Sequence, residues 1–299
     1  EEQATNLKKT IEVAPNYGIT SLTKPSGSDP LVEITVPKGS HAAFVTGKNH
    51  SSELIIERGA GIEVTNVTKI LDGNQYRIKI EVRIISSDEM RNKKQNVSNQ
   101  LNAANEMLTQ KLGLNVTLDS VNPDLSTIVN NAYDATSTFK GKFDDLFSSG
   151  LISNKTNGEA IFHRLKENGL KITFHEEALS ITAQGGSEFG QIVGGYSPEL
   201  KEIKVDSMMS KTILPGTIAH EFGHAIDDLY FNYQLGKDPE LAKLFSKDKE
   251  IFAKSFDFDI EKYYKNASEE QKVHEFFAEA FAKFVMDNQK LKEIAPDTY

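Results

Sequence analysis

The residues best suited to chemistry are His220-Glu221-Phe222-Gly223-His224, an H-E-x-x-H pattern. Apolar residues recur at helical spacing around it: Ile218, Phe222, Ala225, Ile226 and Leu229. This spacing predicts an amphipathic helix, on which His220 and His224 lie about one turn apart on one face. Their ring nitrogens can then bind one Zn²⁺, and Glu221 can act as the general base. The alternative is a pair of surface histidines on an ordinary helix.

The start of this helix is also predicted by the sequence. Pro215-Gly216 interrupts the preceding structure, and the hydroxyl of Thr217 can cap a new helix. We therefore expect Thr217 to be the N-cap.

A third ligand is predicted in residues 272–286. One helical stripe is apolar and contains Val273, Phe276, Phe277, Ala280, Phe281 and Phe284. Glu275 and Glu279 lie on another face, beside Ala278 and Ala282. Small residues there, together with Gly223, would let the two helices approach closely. Glu275 can then complete a His₂Glu zinc site that leaves the fourth position open.

Carboxylates near the ligands are candidates for a supporting role. Glu279, one turn after Glu275, can accept a proton from a ligand imidazole, and Asp227 and Asp228 compete for that role. A solvated carboxylate is the alternative for Glu279. His274 is expected to face away from the site, because it lies on a different side of the helix from Glu275.

Composition limits the possible partners. The chain has 299 residues, no cysteine and a formal charge of −9. Nucleic acid is an unfavourable partner for such a chain, and a run of 18 apolar residues, as a transmembrane helix needs, is absent from the sequence. From His220 to Tyr299 there are 17 acidic and 11 basic residues, which favours basic substrates or reflects an ordinary acidic surface.

The periodicity of the chain changes near residue 87. Residues 1–30 are rich in turn formers and predict loop with a little helix, whereas residues 31–85 predict short strands, most clearly in the alternation from Tyr76 to Ile84. Helices are predicted over 89–112, 124–149 and 158–168, then a strand over 170–174 and a hairpin of 191–196 with 202–205. Domains are therefore expected at 1–86 and 87–299.

Two stretches carry a resemblance to a known family. Residues 220–228 and 275–281 resemble the catalytic domain of the anthrax lethal factor family, whose zincin core the bacterial Pro-Pro endopeptidases share. Residues 54–64 and 76–80 resemble, more loosely, the lethal factor's central domain, which has an ADP-ribosyltransferase-like fold without the activity. The resemblance implies an α+β chain, in which a mostly-β partial ADP-ribosyltransferase-like region precedes a zincin-type metallopeptidase domain of helices and a small mixed sheet.

The resemblance also implies a function. It implies a secreted toxin whose zinc endopeptidase cleaves host proteins with metal-activated water, in extended segments. Those segments would contain proline on the strength of the resemblance, or would be basic on the strength of the acidic charge balance. A pore-forming component would deliver it to the host cytosol. Zn²⁺ would be bound by His220, His224 and Glu275, with Glu221 as the base. In zincins a strand pair borders the cleft, which makes Gly194, Gly195 and Tyr196 candidates for substrate binding.

One position departs from the family pattern. The family has a tyrosine seven residues before the ligand glutamate, and Ser268 stands there in this sequence. Tyr263 and Tyr264 lie slightly earlier, so a short insertion would preserve the role. We take Tyr264 as the candidate that stabilises the transition state.

Two other functions compete with proteolysis. Residues 17–22 resemble the Ser-Thr-Ser strand of mono-ADP-ribosyltransferases, and Ser51-Ser52-Glu53 stands where a Glu-x-Glu pair is expected. Only Glu53 of that pair is kept, so the region is expected to be inactive in this chain. The third possibility is a binding module whose zinc site is catalytically silent, against which the intact Glu221 argues.

Overall fold

The computed structural model of the protein describes residues 11–13, 18–21, 30–46, 52–56, 60–120, 124–148, 158–176 and 194–299. The chain divides into two compact units, residues 1–101 with 121–125 and residues 102–120 with 126–299. This division lies inside a helix rather than at the change of period near residue 87. The identities assigned to 1–86 and 87–299 stay predictions.

The first unit contains two β-sheets among its described residues. The larger has the strand order β1 (Ile11–Val13), β6 (Gly61–Asp72), β7 (Gln75–Ile85) and β3 (Leu31–Thr35). The smaller has the order β2 (Gly18–Ser21), β5 (Ser52–Ile56) and β4 (Ala42–Thr46). Strand β3 is parallel to β7, and the other pairs are antiparallel.

The strand predicted from strict alternation is confirmed as β7. One of its faces buries Val82 and Ile84, as a period of two requires. The opposite face carries Arg83, which donates to Glu63 of β6 at 2.6 Å and to Glu89 at 2.8 Å. The alternation therefore places charged residues on one face from Arg77 to Arg83, whereas Ile85, at the end of the strand, is buried on that same side.

The long helix that follows, α1 (Ser87–Leu112), is joined to the larger sheet by charge. Lys93 donates to Glu63 at 2.5 Å. Glu63 thus accepts from two cations, Lys93 of the helix and Arg83 of the neighbouring strand. This network fixes the start of α1 against the β6–β7 hairpin within the first unit.

The expectation of loop with a little helix for residues 1–30 is wrong where the structure describes them. Ile11–Val13 and Gly18–Ser21 are strands that pair with Gly61–Glu63 and Glu53–Ile56, far along the chain. Segments of three or four residues are too short to show a period, so long-range pairing decided their conformation.

The second unit is built on a mixed four-stranded sheet. Its order is β10 (Gly194–Ser197), β11 (Glu202–Asp206), β9 (Lys171–His175) and β8 (Asn115–Asp119). Strands β8, β9 and β11 are parallel, and β10 runs antiparallel along one edge. The described part of the predicted hairpin, β10 with β11, is confirmed, while residues 191–193 lie outside the described residues.

The described residues of the second unit also form helices, in addition to the end of α1. They are α2 (Ser126–Ser148), α3 (Gly158–Glu167), α4 (Leu214–Phe231), a 3-10 turn (Leu235–Lys237), α5 (Pro239–Phe256), α6 (Ile260–Tyr263), α7 (Glu269–Met286) and α8 (Asn288–Ile294). Helices and small mixed sheets thus confirm the predicted α+β class. Within the described ranges, every helix is too short or too polar to span a lipid bilayer.

Clusters of phenylalanine rings orient the helices of the second unit. Phe222 of α4 contacts Phe139 of α2 and Phe162 of α3, with ring centroids 4.9 Å and 5.2 Å away. On α7, Phe276 contacts Phe252 of α5, with centroids 5.0 Å apart. Because these aromatic faces are buried, the polar faces of α4 and α7 are left to meet each other.

The predicted N-cap at Thr217 is wrong. Helix α4 begins at Leu214, with Ile213 at the N-cap position, and Pro215 lies in its first turn. Proline is tolerated there because the first helical N–H groups have no intrahelical acceptor. Pro215-Gly216 therefore lies inside the start of the helix instead of breaking the chain before it.

Candidate metal centre

Helix α4 presents the two histidines of the H-E-x-x-H pattern on one face. The rings of His220 and His224 lie with centroids 4.9 Å apart at 76°. Each side chain is only 15% exposed. One helical turn separates the rings, so both nitrogens point towards the same side of the helix.

Helix α7 brings a carboxylate to this pair. Oε2 of Glu275 lies 3.4 Å from Nε2 of His220 and 3.4 Å from Nε2 of His224. The nitrogen and oxygen atoms with which these three side chains could bind a metal all lie within 4.8 Å of one another. The predicted third ligand residue is therefore beside the two histidines.

The helices can meet because both are small at the crossing. A Cβ added to Gly223 would lie 2.7 Å from Cα of Ala278, closer than real side chains come to a backbone. Gly223 and Ala278 are thus in direct backbone contact, as their small size predicted. This contact brings Glu275, one turn before Glu279 on α7, within reach of α4.

The two distances to Glu275 suit a small tetrahedral cation. Ligand atoms about 2.0–2.1 Å from one tetrahedral Zn²⁺ lie roughly 3.3–3.4 Å from one another, which matches both distances to Glu275. Oε2 of Glu275 is also buried without a hydrogen-bond partner. A buried carboxylate oxygen that lacks a donor is costly unless a cation satisfies it. The set of two imidazoles and one carboxylate is typical of zinc.

The electrostatics of the pocket favour a cation as well. Burial opposes ionisation of Glu275, but the positive charges of the neighbouring His224 and His220 lower its pKa well below the ordinary range. Burial would lower the pKa of His220, yet the carboxylates of Glu275 and Glu279 raise it well above its ordinary value. The carboxylates therefore stay ionised and attract positive charge.

Glu279 supports the first histidine from behind. Its Oε2 lies 3.0 Å from Nδ1 of His220, and its Oε1 accepts from Lys283 at 2.8 Å. When Nδ1–H donates to this carboxylate, the lone pair of Nε2 faces the pocket beside Glu275. Glu279 is 6% exposed, so it is not the solvated carboxylate of the alternative.

Glu221 lies buried next to these groups. Its side chain is 7% exposed. Burial raises the pKa of its carboxyl, while the charges of His220 and His224 and a backbone hydrogen bond from Tyr196 act in the opposite direction. The base candidate is thus held by the strand that crosses α4.

Tyr264 lies at the same pocket, immediately after helix α6. Burial raises the pKa of its hydroxyl, and so do the charge of Glu275 and a hydrogen bond with it. Tyr263 is 38% exposed. Ser268 is the N-cap of α7, where it forms a capping box with Gln271. Of the three residues considered for this role, the structure brings Tyr264 to Glu275.

The candidate substrate-binding residues lie on the edge strand β10. A Cβ at Gly194 would lie 2.6 Å from the methyl of Thr217, so the strand passes very close to α4. Gly195 pairs with Lys204 of β11. Tyr196 donates from its hydroxyl to Oδ2 of Asp228 at 2.6 Å, and burial raises its pKa. Its hydroxyl is therefore committed to α4.

Asp227 has a different partner from the one expected. Its Oδ2 forms a hydrogen-bonded pair with Nδ1 of His274, and its Oδ1 accepts from the amide of Leu235 at 3.3 Å. His274 was expected to face away from the site, yet it packs against α4 one turn beyond His224. The sequence offered one signal for this pair. His274 stands next to Glu275, on the helix that was expected to pack against the helix carrying Asp227 and Asp228.

The ADP-ribosyltransferase candidates lie in the first unit. Ser21 of β2 is the register partner of Glu53 of β5. Tyr17, Leu22 and Ser51 lie outside the described residues. The pairing places the backbone of the two candidates opposite each other.

The decisive comparison is with protein families. Residues 113–299 match the family model described as anthrax toxin lethal factor, N- and C-terminal domain. The chain belongs to this family. The match covers well over half of the 299 residues and includes all of the metal-centre residues. The match begins at residue 113, so it covers the second unit except residues 102–112. Most of the first unit lies outside it.

Other comparisons are weaker. No curated protein matches the chain. Among solved structures, the C3larvin toxin, an ADP-ribosyltransferase from Paenibacillus larvae, is 22% identical, with a TM-score of 0.25 over 28% of this chain and 44% of that one. The ADP-ribosylating toxin BECa of C. perfringens is 13% identical, with a TM-score of 0.27 over 55% and 37%.

These likenesses are too slight to assign a fold or an activity to this member of the lethal factor family. The chain spans less than half of the length of either toxin.

Proposed function

We propose that this member of the lethal factor family is a zinc endopeptidase with a zincin-type catalytic domain. The observation that supports it most is the meeting of two imidazoles and the Glu275 carboxylate beside the buried carboxylate of Glu221. Zinc bound by His220, His224 and Glu275 would supply Lewis-acid polarisation of the scissile carbonyl and lower the pKa of the attacking water.

The remaining steps belong to residues of the chain. Glu221 takes a proton from the water while the oxygen of that water attacks the carbonyl carbon. Glu221 then returns that proton to the nitrogen of the leaving amine as the C–N bond breaks. Acid–base help of this kind contributes roughly 10²–10⁴-fold. Tyr264 is the candidate donor to the oxyanion of the transition state.

The substrate would be an extended peptide that lies along β10. An edge strand offers backbone groups to which a peptide can add as a further strand. Gly194 and Gly195 leave the first half of that strand free of side chains. The acidic excess from His220 to Tyr299 favours basic segments, and the family resemblance adds proline-containing ones.

Family membership supports a place of action. We propose a secreted toxin that a pore-forming component delivers to the host cytosol, where it meets protein substrates. Nucleic acid is not a proposed partner.

The test of this function uses the full chain. Wild-type protein should bind one zinc and cleave members of a peptide library, and a chelator should abolish cleavage. His220→Ala should lose zinc. Glu221→Gln should keep zinc and lose cleavage by roughly 10²–10⁴-fold. Glu250→Gln is the control, because its side chain is 80% exposed.

The outcomes separate the competing functions. Zinc binding without cleavage of any peptide would favour a silent binding module. Near wild-type cleavage by Glu221→Gln would exclude Glu221 as the base, and full zinc content in His220→Ala would exclude His220 as a ligand.

Mono-ADP-ribosyl transfer is the second function to be tested, since the β2–β5 register sets the backbone of Ser21 opposite that of Glu53. Glu53 alone, without the rest of a Glu-x-Glu pair, predicts no activity. An NAD-glycohydrolase assay of wild type and Glu53→Gln tests this, and NAD hydrolysis lost in Glu53→Gln would contradict the prediction.

A further inference from the structure

Two consecutive aspartates, Asp227 and Asp228, lie near the C-terminal end of α4. Acidic side chains are unfavourable at this end of a helix, because the last carbonyl groups carry partial negative charge. Consecutive helical residues also point in directions about 100° apart, so the two carboxylates reach different neighbours. Each has a partner that lies next to a residue of the metal centre.

Asp227 faces α7. Its side chain is 1% exposed and forms the pair with His274, the residue immediately before the ligand Glu275. The edge of His274 meets the ring of Tyr233, with centroids 5.7 Å apart at 80°. The imidazole is therefore held between the end of α4 and the turn that follows it.

Gly236 of the 3-10 turn completes this contact. A Cβ there would lie 2.3 Å from Nε2 of His274 and 2.8 Å from the carbonyl oxygen of Glu270. The amide of Leu235 donates to Asp227 in the same turn. These contacts of the 3-10 turn, Asp227 and His274 thus fix the position of α7 along α4. They thereby fix the position of Glu275 relative to His220 and His224.

Asp228 faces the edge strand. It accepts from the hydroxyl of Tyr196 at 2.6 Å, and the backbone of Tyr196 hydrogen-bonds to Glu221. Glu221 and Asp228 are seven residues apart, about two turns of the helix. Tyr196 therefore contacts α4 at two points, Asp228 and Glu221, and holds β10 beside Glu221.

We propose that the two aspartates are positioning residues for different parts of one site. Asp227 holds the metal ligand Glu275 through His274, whereas Asp228 holds β10 and the Glu221 carboxylate through Tyr196. This inference rests on the proposed zinc site, and its second half gains a kinetic consequence from the proposed peptidase activity.

Adjacent, matched substitutions test the division of labour. Asp227→Ala and Asp228→Ala remove the same charge and the same atoms from neighbouring positions. Asp227→Ala should weaken zinc binding about 10-fold, measured by competition with a chelator, and leave hydrogen exchange of the β10 amides unchanged. Asp228→Ala should speed that exchange about 10-fold and leave zinc affinity within about twofold.

Conservative variants keep the inference testable if an alanine variant does not fold. Asp227→Asn keeps an acceptor for His274 and should restore part of the zinc affinity. Tyr196→Phe keeps the ring and the backbone amide, should reproduce Asp228→Ala, and should add nothing to it in the double variant. Where a peptide is cleaved, Asp228→Ala and Tyr196→Phe should both lower kcat/KM about 10-fold.

The inference is overturned if the two alanine variants shift zinc affinity and β10 exchange alike, or if neither variant shifts either quantity. Zinc affinity and hydrogen exchange do not require cleavage. Should the wild type cut no peptide, the proposed activity fails, and these two measurements still decide the role of the aspartates.

Discussion

At the scale of single residues, the two glutamates that α7 brings to the histidines differ in the imidazole atoms that they face. Glu275 and Glu279 lie one turn apart on the same helix, yet one meets both Nε2 atoms and the other meets Nδ1 of His220. Their pKa values are both lowered although burial acts against it. Position relative to the imidazoles, rather than residue type, separates the proposed ligand Glu275 from the proposed supporting residue Glu279.

Removal of Glu279 should weaken the metal centre without removing a ligand. Glu279→Ala leaves Nδ1 of His220 without its acceptor, so zinc affinity should fall roughly 10–100-fold. Chelator competition measures the change. Glu293→Ala on the exposed surface of α8 is the control, and equal zinc affinity in the two variants would contradict a supporting role for Glu279.

At the scale of elements, the site depends on how closely α4 and α7 approach. The contact between Gly223 and Ala278 leaves no room for a side chain. The apolar stripes predicted which faces are buried, and the Phe222 and Phe276 contacts confirm them. The distance between the helices then follows from the small residues at the crossing.

A side chain at Gly223 should separate the helices. Gly223→Val should lower the free energy of unfolding by about 1–3 kcal/mol through overpacking, and zinc affinity should fall with it because Glu275 moves away from the histidines. Thermal melting and chelator competition measure the two effects.

Gly216 offers a matched control in the same helix. Nothing lies within 4 Å of a Cβ added there, so Gly216→Ala should be neutral or stabilise by about 0.4–1 kcal/mol. An unchanged zinc affinity in Gly223→Val would argue against the close approach as the determinant of the site.

In the first unit, the Glu63 network should make stability depend on pH. The hydrogen bond from Lys93 lowers the pKa of Glu63, burial acts against it, and Arg83 lowers it further. A carboxyl whose folded pKa is lowered stabilises the fold at pH values above the unfolded pKa of about 4.5. That contribution is lost as the pH falls through the folded pKa.

The substitution Glu63→Gln should therefore destabilise at neutral pH by about 1 kcal/mol, a value discounted for the partial exposure of the network. Denaturant unfolding at pH 7 and at successively lower pH measures the difference. The two proteins should converge in acid, and a gap that widens as the pH falls would reverse the assigned sign.

At the scale of the whole molecule, metal binding should stabilise one part of the chain. All the ligand residues lie in the second unit. Zinc at 100 times its Kd should stabilise that unit by about 2.7 kcal/mol. Hydrogen exchange with and without a chelator should change in α4 and α7 and stay the same in β6 and β7. His220→Ala should not respond, and equal responses in both units would contradict the prediction.

The sequence by itself determined what is local. Spacing of four residues put His220 and His224 on one helical face, the apolar stripes defined α4 and α7, and alternation defined β7. The match over residues 113–299 confirmed the family. The short strands Ile11–Val13 and Gly18–Ser21 were not predicted from the sequence, because their pairing partners lie far along the chain.

Only the tertiary structure decided which carboxylate serves which imidazole. In the sequence, Asp227 and Asp228 competed with Glu279 for one supporting role. The packing of α7 and β10 against α4 gave the three carboxylates different partners: His220, His274 and Tyr196. A hydrogen bond depends on distances of a few tenths of an ångström. Those distances are set by long-range packing of the glycine and phenylalanine contacts, whereas helical period is set by the backbone alone.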